Sequence, residues 1–410
     1  MTSPSPAGST SSSRHQPDSL HESSDSAKSP WHAQWHLRED TTYLNHGSFG
    51  PPPKPVREAQ RFWKKQLDEQ PMDFYVRRLE PAWREAQGRL AEFVGVQSHQ
   101  IAFVENATYG MNVVANSLAL KEGDEILLND HEYGAVRRIW ERAAKGAGAS
   151  VVDAKLPWPM ESAEQIVDAI ASRFTPRTRL AIVSHVTSPT AVNMPVAAIC
   201  KRAREAGIPV CVDGPHAPAY LPLNISQLGC DFYVASCHKW LSAPLGSGFL
   251  FVSDRFQSQI KVPILSWGRL LPALPERWYE ELLWSGTRDP SAYLSVPNAI
   301  DFLQQVGLDH FRETTHALAR VARNQIVELT GLAAMVPDDL DWYGAMAHVP
   351  LPPGDHQFLQ QALWNQHRIE VPVIRFNEGR YIRVSCHLYN SQRDIEYLLN
   401  ALRTQLAQES

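Results

Sequence analysis

Asp231-Phe232-Tyr233-Val234-Ala235-Ser236-Cys237-His238-Lys239-Trp240 passes abruptly from an apolar run to a polar one, and the glycine-bearing Pro244-Leu245-Gly246-Ser247-Gly248 follows it. The apolar half predicts a strand buried on both faces, which places Lys239 just beyond its carboxyl end. A lysine at the rim of a buried sheet loses hydration. That disfavours the ammonium and leaves a free amine able to form a Schiff base with an aldehyde. Alone, a strand-end lysine is ordinarily a solvated surface residue. Asp213 shifts the balance, because it ends the earlier apolar run Pro209-Val210-Cys211-Val212 and precedes Gly214-Pro215-His216.

On both sides of this stretch the pattern alternates. Residues 101–104, 125–128, 150–152, 180–183 and 209–212 read as strands, and 109–118, 135–145, 163–173 and 196–206 as the helices between them; 232–235 and 248–252 complete a sheet. Near-continuous apolar strands separated by helices predict an α/β fold with a mainly parallel sheet covered on both faces. Ligands bind such sheets beyond the carboxyl ends of the strands, where Asn106, His131, Ser188, Asp213 and Lys239 all fall. Before the sheet, 56–67 and 83–94 read as amphipathic helices. After Val252 the alternation stops. Residues 266–288 form a Trp-rich excursion in which Trp267, Trp278 and Trp284 are read as subunit packing in preference to a substrate entrance. Helices at 295–305 and 316–329, strands at 369–374 and 381–385 and a helix at 394–406 make a smaller α+β C-terminal part.

Composition narrows the classes. The 410 residues are 43% hydrophobic and 20% charged with a formal net charge of −5, which gives no basic stripe for nucleic acid. The five cysteines are odd in number and form no CxxC pair, so a reducing cytoplasm is expected, without disulfides or structural zinc. No apolar run is long enough to span a bilayer, and the N-terminus lacks a signal pattern. Residues 1–30, rich in Ser and Pro, are expected to be a disordered tail.

A lysine for an imine and an aspartate for a pyridinium nitrogen are what pyridoxal 5'-phosphate requires of a protein. Asn106-Ala107-Thr108 opens a helix whose free N–H groups suit a phosphate, with Ser236 and His238 as further donors. His131, after a strand, is placed to stack on a ring, with Tyr133 its rival. A metal reading from Asp213, His216 and His185 rests on a weak ligand pattern. Arg383, in Tyr381-Ile382-Arg383-Val384-Ser385, offers a planar fork for a carboxylate.

Together these residues resemble the class V aminotransferase family of fold-type I pyridoxal-phosphate enzymes over about residues 40 to 405. Asp213 stands 26 positions before Lys239, with His216 and Ser236-x-His238-Lys239 in the family's arrangement. The resemblance implies Lys239 as the Schiff-base lysine, Asp213 as the partner of the ring nitrogen, and Ala107, Thr108, Ser236 and His238 as phosphate ligands, with His216 also at the cofactor. It implies His131 as the stacking residue and Arg383 as the carboxylate clamp. Ser188 falls where relatives place an asparagine. Gly286-Thr287 looks like the segment lent to a neighbouring subunit's phosphate, which implies a homodimer. The runs Leu44-Asn45-His46-Gly47-Ser48-Phe49-Gly50, Asp130-His131-Glu132-Tyr133-Gly134-Ala135 and Asp213-Gly214-Pro215-His216-Ala217-Pro218 are similar to the isopenicillin N epimerase-like branch, which puts Asn45 and His46 near the substrate.

The expected organisation is a tail (1–30), an N-terminal segment contributing to the site (31–55), a large cofactor-binding domain (56–290) and a small α+β domain (291–410). The implied enzyme removes the α-proton of an amino-acid-type substrate. Epimerization is the first reading, carbon–sulfur lysis or transamination the second, and a non-catalytic binding protein the third. Residues 365–380 hold no cysteine, which argues against persulfide-forming desulfurization.

Overall fold

The structure, a computed structural model, describes residues 29–269 and 274–409, so the expected disordered tail lies outside the described residues up to Lys28. Seven strands form one sheet: β1 (Ile101–Val104), β2 (Glu125–Asn129), β3 (Ser150–Ala154), β4 (Thr178–Ser184), β5 (Val210–Asp213), β6 (Phe232–Ser236) and β7 (Gly248–Val252). Their order is β1-β7-β6-β5-β4-β2-β3; only β7 runs antiparallel to its neighbours. Successive side chains go to opposite faces, so Tyr233 and Ala235 join one apolar core while Phe232 and Val234 join the other. Helices α1 (Ala107–Ser117) and α2 (Gly134–Ala147) cover the second face, and α3 (Ala163–Ala171) and α4 (Val196–Glu205) the first. Every residue of β1, β2, β5, β6 and β7 is buried, while the edge strand β3 is largely open.

A second, three-stranded antiparallel sheet is built from β8 (Met346–Leu351), β9 (Val373–Phe376) and β10 (Gly379–Ser385) in the order β9-β10-β8. It packs with α5 (Leu308–Thr330), α6 (His356–His367) and α7 (Gln392–Glu409) around a separate core. On α5, Phe311 belongs to the large core and Ala319, Ala322 and Ile326 to the second, so this helix spans both. Thr42–Tyr43 pairs with Ile369–Glu370, and Asn45 bridges Ser385, which ties the N-terminal segment to the second sheet beside the large one.

Three differences from the sequence reading have clear causes. β8 was hidden by Pro350, which an edge strand tolerates because its missing N–H faces outward. The run 369–374 is divided at Pro372 into two strands of different sheets. Trp278 is buried with its indole N–H on the His99 carbonyl (2.9 Å), and Trp284 meets Tyr75 edge-on, so both pack within the chain; Trp267 is exposed. Among the described residues no helix is long and apolar enough to cross a membrane.

Gly248 sets how closely β6, β7 and the start of α1 approach. A Cβ there would lie 2.5 Å from the Ala235 carbonyl oxygen and 2.8 Å from the Asn106 Cα, both backbone atoms that cannot move aside cheaply. Gly248→Ala should therefore destabilise the fold by about 1–3 kcal/mol in denaturant unfolding. Gly146→Ala, in open space on α2, should be neutral or stabilising by up to about 1 kcal/mol.

Candidate active site

The carboxyl ends of β5 and β6 bring Asp213 and Lys239 together with His216. The Lys239 amine lies 3.0 Å from His216 Nε2. The other ring nitrogen, Nδ1, receives the Trp240 indole N–H at 3.2 Å. An indole nitrogen only donates, so Nδ1 is the acceptor, and the ring proton sits on Nε2, where it meets the amine's lone pair. His216 is therefore neutral, as its complete burial also requires. Burial, then the Arg383 guanidinium, lower the Lys239 amine from 10.5 to about 7, while Asp213 pulls the other way. Burial, then the neighbouring Glu132 carboxylate, raise Asp213 to about 8, with Lys239 opposing.

The backbone of Lys239 is held from behind. His46 Nε2 lies 3.0 Å from the Lys239 carbonyl oxygen and must carry the proton, which leaves Nδ1 to accept from the Tyr389 hydroxyl at 2.9 Å. The His46 ring stacks on His387 with centroids 3.9 Å apart. Both nitrogens of His46 are thus committed to protein. Gly50 allows this contact, since a Cβ there would fall 2.5 Å from His46 Nε2. Asn45 donates to Glu370 (3.0 Å), and its side-chain oxygen is buried without a partner among the described residues.

At the other end of the cleft, β10 carries Arg383. Its guanidinium donates to the Ser188 carbonyl and to Ser48 Oγ (2.9 Å), and its Nε is buried without a partner among the described residues. Among the described residues it has no ion pair, and burial lowers it to about 10. A buried cation without a counter-ion is costly unless an anion is expected there. On the phosphate side, Asn106 caps α1 by accepting the Tyr109 N–H (2.9 Å), and the Ala107 N–H donates to Ser236 Oγ (3.1 Å). Thr108 stands exposed at the next position, and His238 Nδ1 is buried without a partner among the described residues.

His131 is fully buried. Its Nδ1 lies 2.8 Å from Thr190 Oγ1, and its ring lies against Phe376 (4.5 Å between centroids) and Trp158 (5.1 Å). Thr287 lies exposed after Gly286, whose φ is +113°. His185 is tied to the Tyr233 hydroxyl at 2.8 Å.

Residues that the sequence reading passed over now stand out. Glu132 is buried and accepts from Asn129 Nδ2 (2.6 Å), Ser184 N (2.8 Å) and Ser184 Oγ (2.8 Å). Burial still raises it to about 7. A glutamate next to a strand-end histidine was the available signal. Nothing in the sequence marks Thr190 or Tyr389, and Ser48 stands in the run 44–50 with no role of its own assigned to it.

A buried amine of lowered pKa and a buried carboxyl group at the carboxyl ends of a parallel sheet, with a buried guanidinium that has no ion pair among the described residues, fit pyridoxal phosphate. Such an arrangement defines a fold-type I pyridoxal-phosphate enzyme. The aminotransferase class-V model matches residues 72–398, and the chain belongs to that family. It is 38% identical to an isopenicillin N epimerase of Amycolatopsis lactamdurans over 88% of this chain and 94% of that protein. It is 29% identical to a putative L-cysteine desulfhydrase of Oryza sativa subsp. japonica, over 91% and 84%. A crystal structure of a cysteine desulfurase from Escherichia coli superposes with a TM-score of 0.77 at 21% identity, covering 92% of this chain and 98% of that one.

The lowered pKa of Lys239 has a measurable consequence. The rate at which cofactor-stripped protein recombines with pyridoxal phosphate should rise with pH through about 7, where the free amine appears, and level off above it. An ordinary lysine would place that rise near about 10.4. Lys239→Ala should abolish the visible absorption band at every pH.

Proposed function

We propose that the protein is an amino-acid epimerase of the isopenicillin N epimerase kind, working at the α-carbon of an amino acid or a peptide containing one. One observation carries the α-carbon chemistry: the buried Lys239 amine, lowered to about 7, lies within electrostatic reach of the buried Arg383 guanidinium, a base for the α-proton near a clamp for an α-carboxylate. The 38% identity to an isopenicillin N epimerase favours inversion. When bound, pyridoxal phosphate supplies the electron sink that acidifies that α-proton. Lys239 holds the cofactor through its amine and, once displaced by substrate, takes the proton. His216 keeps the amine oriented by donating Nε2–H to it. Asp213 supplies the counter-charge to the ring nitrogen. Ala107, Thr108, Ser236 and His238 receive the phosphate, Ser188 lies beside the ring, and Asn45 lines the substrate side.

Carbon–sulfur lysis is the second reading, favoured by the similarity to a putative L-cysteine desulfhydrase. All five cysteines are free and buried, which speaks against a mobile persulfide carrier and suits a cytoplasmic enzyme. The test is incubation of the loaded enzyme with L-amino acids and β-thio-substituted amino acids in deuterated water. Deuterium at Cα with inversion is expected. Pyruvate or sulfide would replace epimerization with lysis, and a keto acid would replace it with transamination. In the same assay Arg383→Lys should raise KM about 10–100-fold, the worth of a lost charge-assisted hydrogen bond.

We also propose a homodimer in which Thr287 reaches the neighbouring site. Supporting it are the exposed Thr287 and the exposed apolar side chains of Phe49, Tyr133, Leu245, Leu265 and Trp267. Light scattering should give twice the chain mass of 46.1 kDa. Thr287→Ala should weaken cofactor retention without changing that mass.

A further inference from the structure

The loop between β4 and α4 closes tightly on Thr187. The Thr187 N–H donates to the Val192 carbonyl (2.9 Å), and the Ala191 N–H to the Thr187 carbonyl (2.8 Å) with Ala191 at φ +55°. The Val192 N–H donates to Thr187 Oγ1 at 2.8 Å. From there a line of hydroxyls leads to the imidazole: Thr187 Oγ1 lies 2.7 Å from Thr190 Oγ1, which lies 2.8 Å from His131 Nδ1. All three side chains are buried, so water does not complete their hydrogen bonding.

The direction of that line follows from counting donors. Thr187 Oγ1 already accepts from Val192, and its own proton has two acceptors in reach. These are Thr190 Oγ1 at 2.7 Å and the Val192 carbonyl at 3.5 Å, the latter at the outer limit of a hydrogen bond. The proton therefore goes to Thr190. Having accepted, Thr190 gives its own proton to His131 Nδ1. The opposite direction would turn Thr190 toward Thr187 and leave the Thr187 proton on the long contact. With Nδ1 an acceptor, a neutral imidazole carries its proton on Nε2. His131 is neutral, since burial lowers it to about 4. Among the described residues its Nε2 is buried without a partner, and Phe376 and Trp158 fix the plane of the ring.

We propose that Thr187 and Thr190 form a hydroxyl relay that fixes the tautomer of His131, with the proton on Nε2, so that this imidazole is a hydrogen-bond donor and not a second base. The complement at Nε2 is an acceptor oxygen, a carboxylate, carbonyl or phenolate. This deepens the active-site reading above and rests on it for function, because a donor at His131 leaves Lys239 as the group that removes the proton. Thr187 and Thr190 are positioning residues. The same loop presents the Ser188 carbonyl to Arg383, so it sets the imidazole and the carboxylate clamp together.

The experiment is nitrogen-15 NMR of histidine-labelled, pyridoxal-phosphate-loaded protein. His131, one of 16 histidines, is identified by the signal lost in His131→Asn. In the wild type, Nε2 should show a bonded proton and Nδ1 the downfield shift of an unprotonated ring nitrogen. Thr190→Val should remove that preference, moving the downfield signal partly or wholly to Nε2, and Thr190→Ser should restore the wild-type pattern. A wild-type His131 with its proton on Nδ1 would overturn the relay whether or not the variants fold. So would a Thr190→Val spectrum identical to the wild type. Because the readout needs no turnover, the relay can fail while the α-carbon chemistry stands, and the reverse.

Discussion

An amine whose proton is loosened by burial inside protein is the constraint on which the remaining architecture depends. Moving Lys239 from 10.5 to about 7 means that its ammonium form costs on the order of 5 kcal/mol more in the cleft than in water. That is comparable with the whole net stability of a domain. The protein resolves the conflict by moving protons, not by pairing ions. Arg383 stays charged, His216 is neutral, Lys239 gives up its proton near neutral pH, and two carboxyl groups, Asp213 and Glu132, are both raised by burial. Glu132 has three hydrogen-bond donors from Asn129 and Ser184, which favour its ionised form and leave Asp213 as the group holding a proton until a ring cation arrives.

Such a site needs rigid walls, since each group is neutral or charged only by virtue of what surrounds it. The walls come from both sheets. β6 positions Lys239, β5 positions Asp213, and β10 swings Arg383 across from the second sheet, where Asn45 bridges Ser385. His46 holds the lysine's own carbonyl, so the flexible part of Lys239 is its side chain alone. Glycines at 50 and 248 are where backbones approach too closely for a Cβ.

Much of this was legible in the sequence because the strands are buried on both faces. Their apolar runs end where the sheet ends, and Asp213, Lys239 and Asn106 stand at those endings. Arg383 was legible for a related reason, as a charge inside a run otherwise fit for a core. Less visible were residues whose place depends on one loop meeting another. Thr190 is an ordinary threonine until its loop turns back on Thr187, and Tyr389 matters only because the N-terminal segment brings His46 to it. β8 was hidden by Pro350, and with it His348, which pairs in register with Arg383. The sequence put His46 near the substrate; its two nitrogens face Tyr389 and the Lys239 backbone.

In the proposed function Lys239 and Asp213 serve any reaction that begins with loss of an α-proton, so they do not choose among inversion, lysis and amino transfer. The choice belongs to the cleft's other wall, which decides where the next proton comes from and whether a side chain can leave. There the chain departs from its surroundings in a definite way. The loop 184–192 supplies a carbonyl to Arg383 and a hydroxyl to His131, while Phe376 at the end of β9 covers the imidazole. An imidazole pinned on both sides, with its acceptor nitrogen already engaged, cannot compete with Lys239 for a proton. Such a wall is built to hold a substrate in place while a single base acts, and reaction specificity then turns on what that wall donates, not on the lysine it faces.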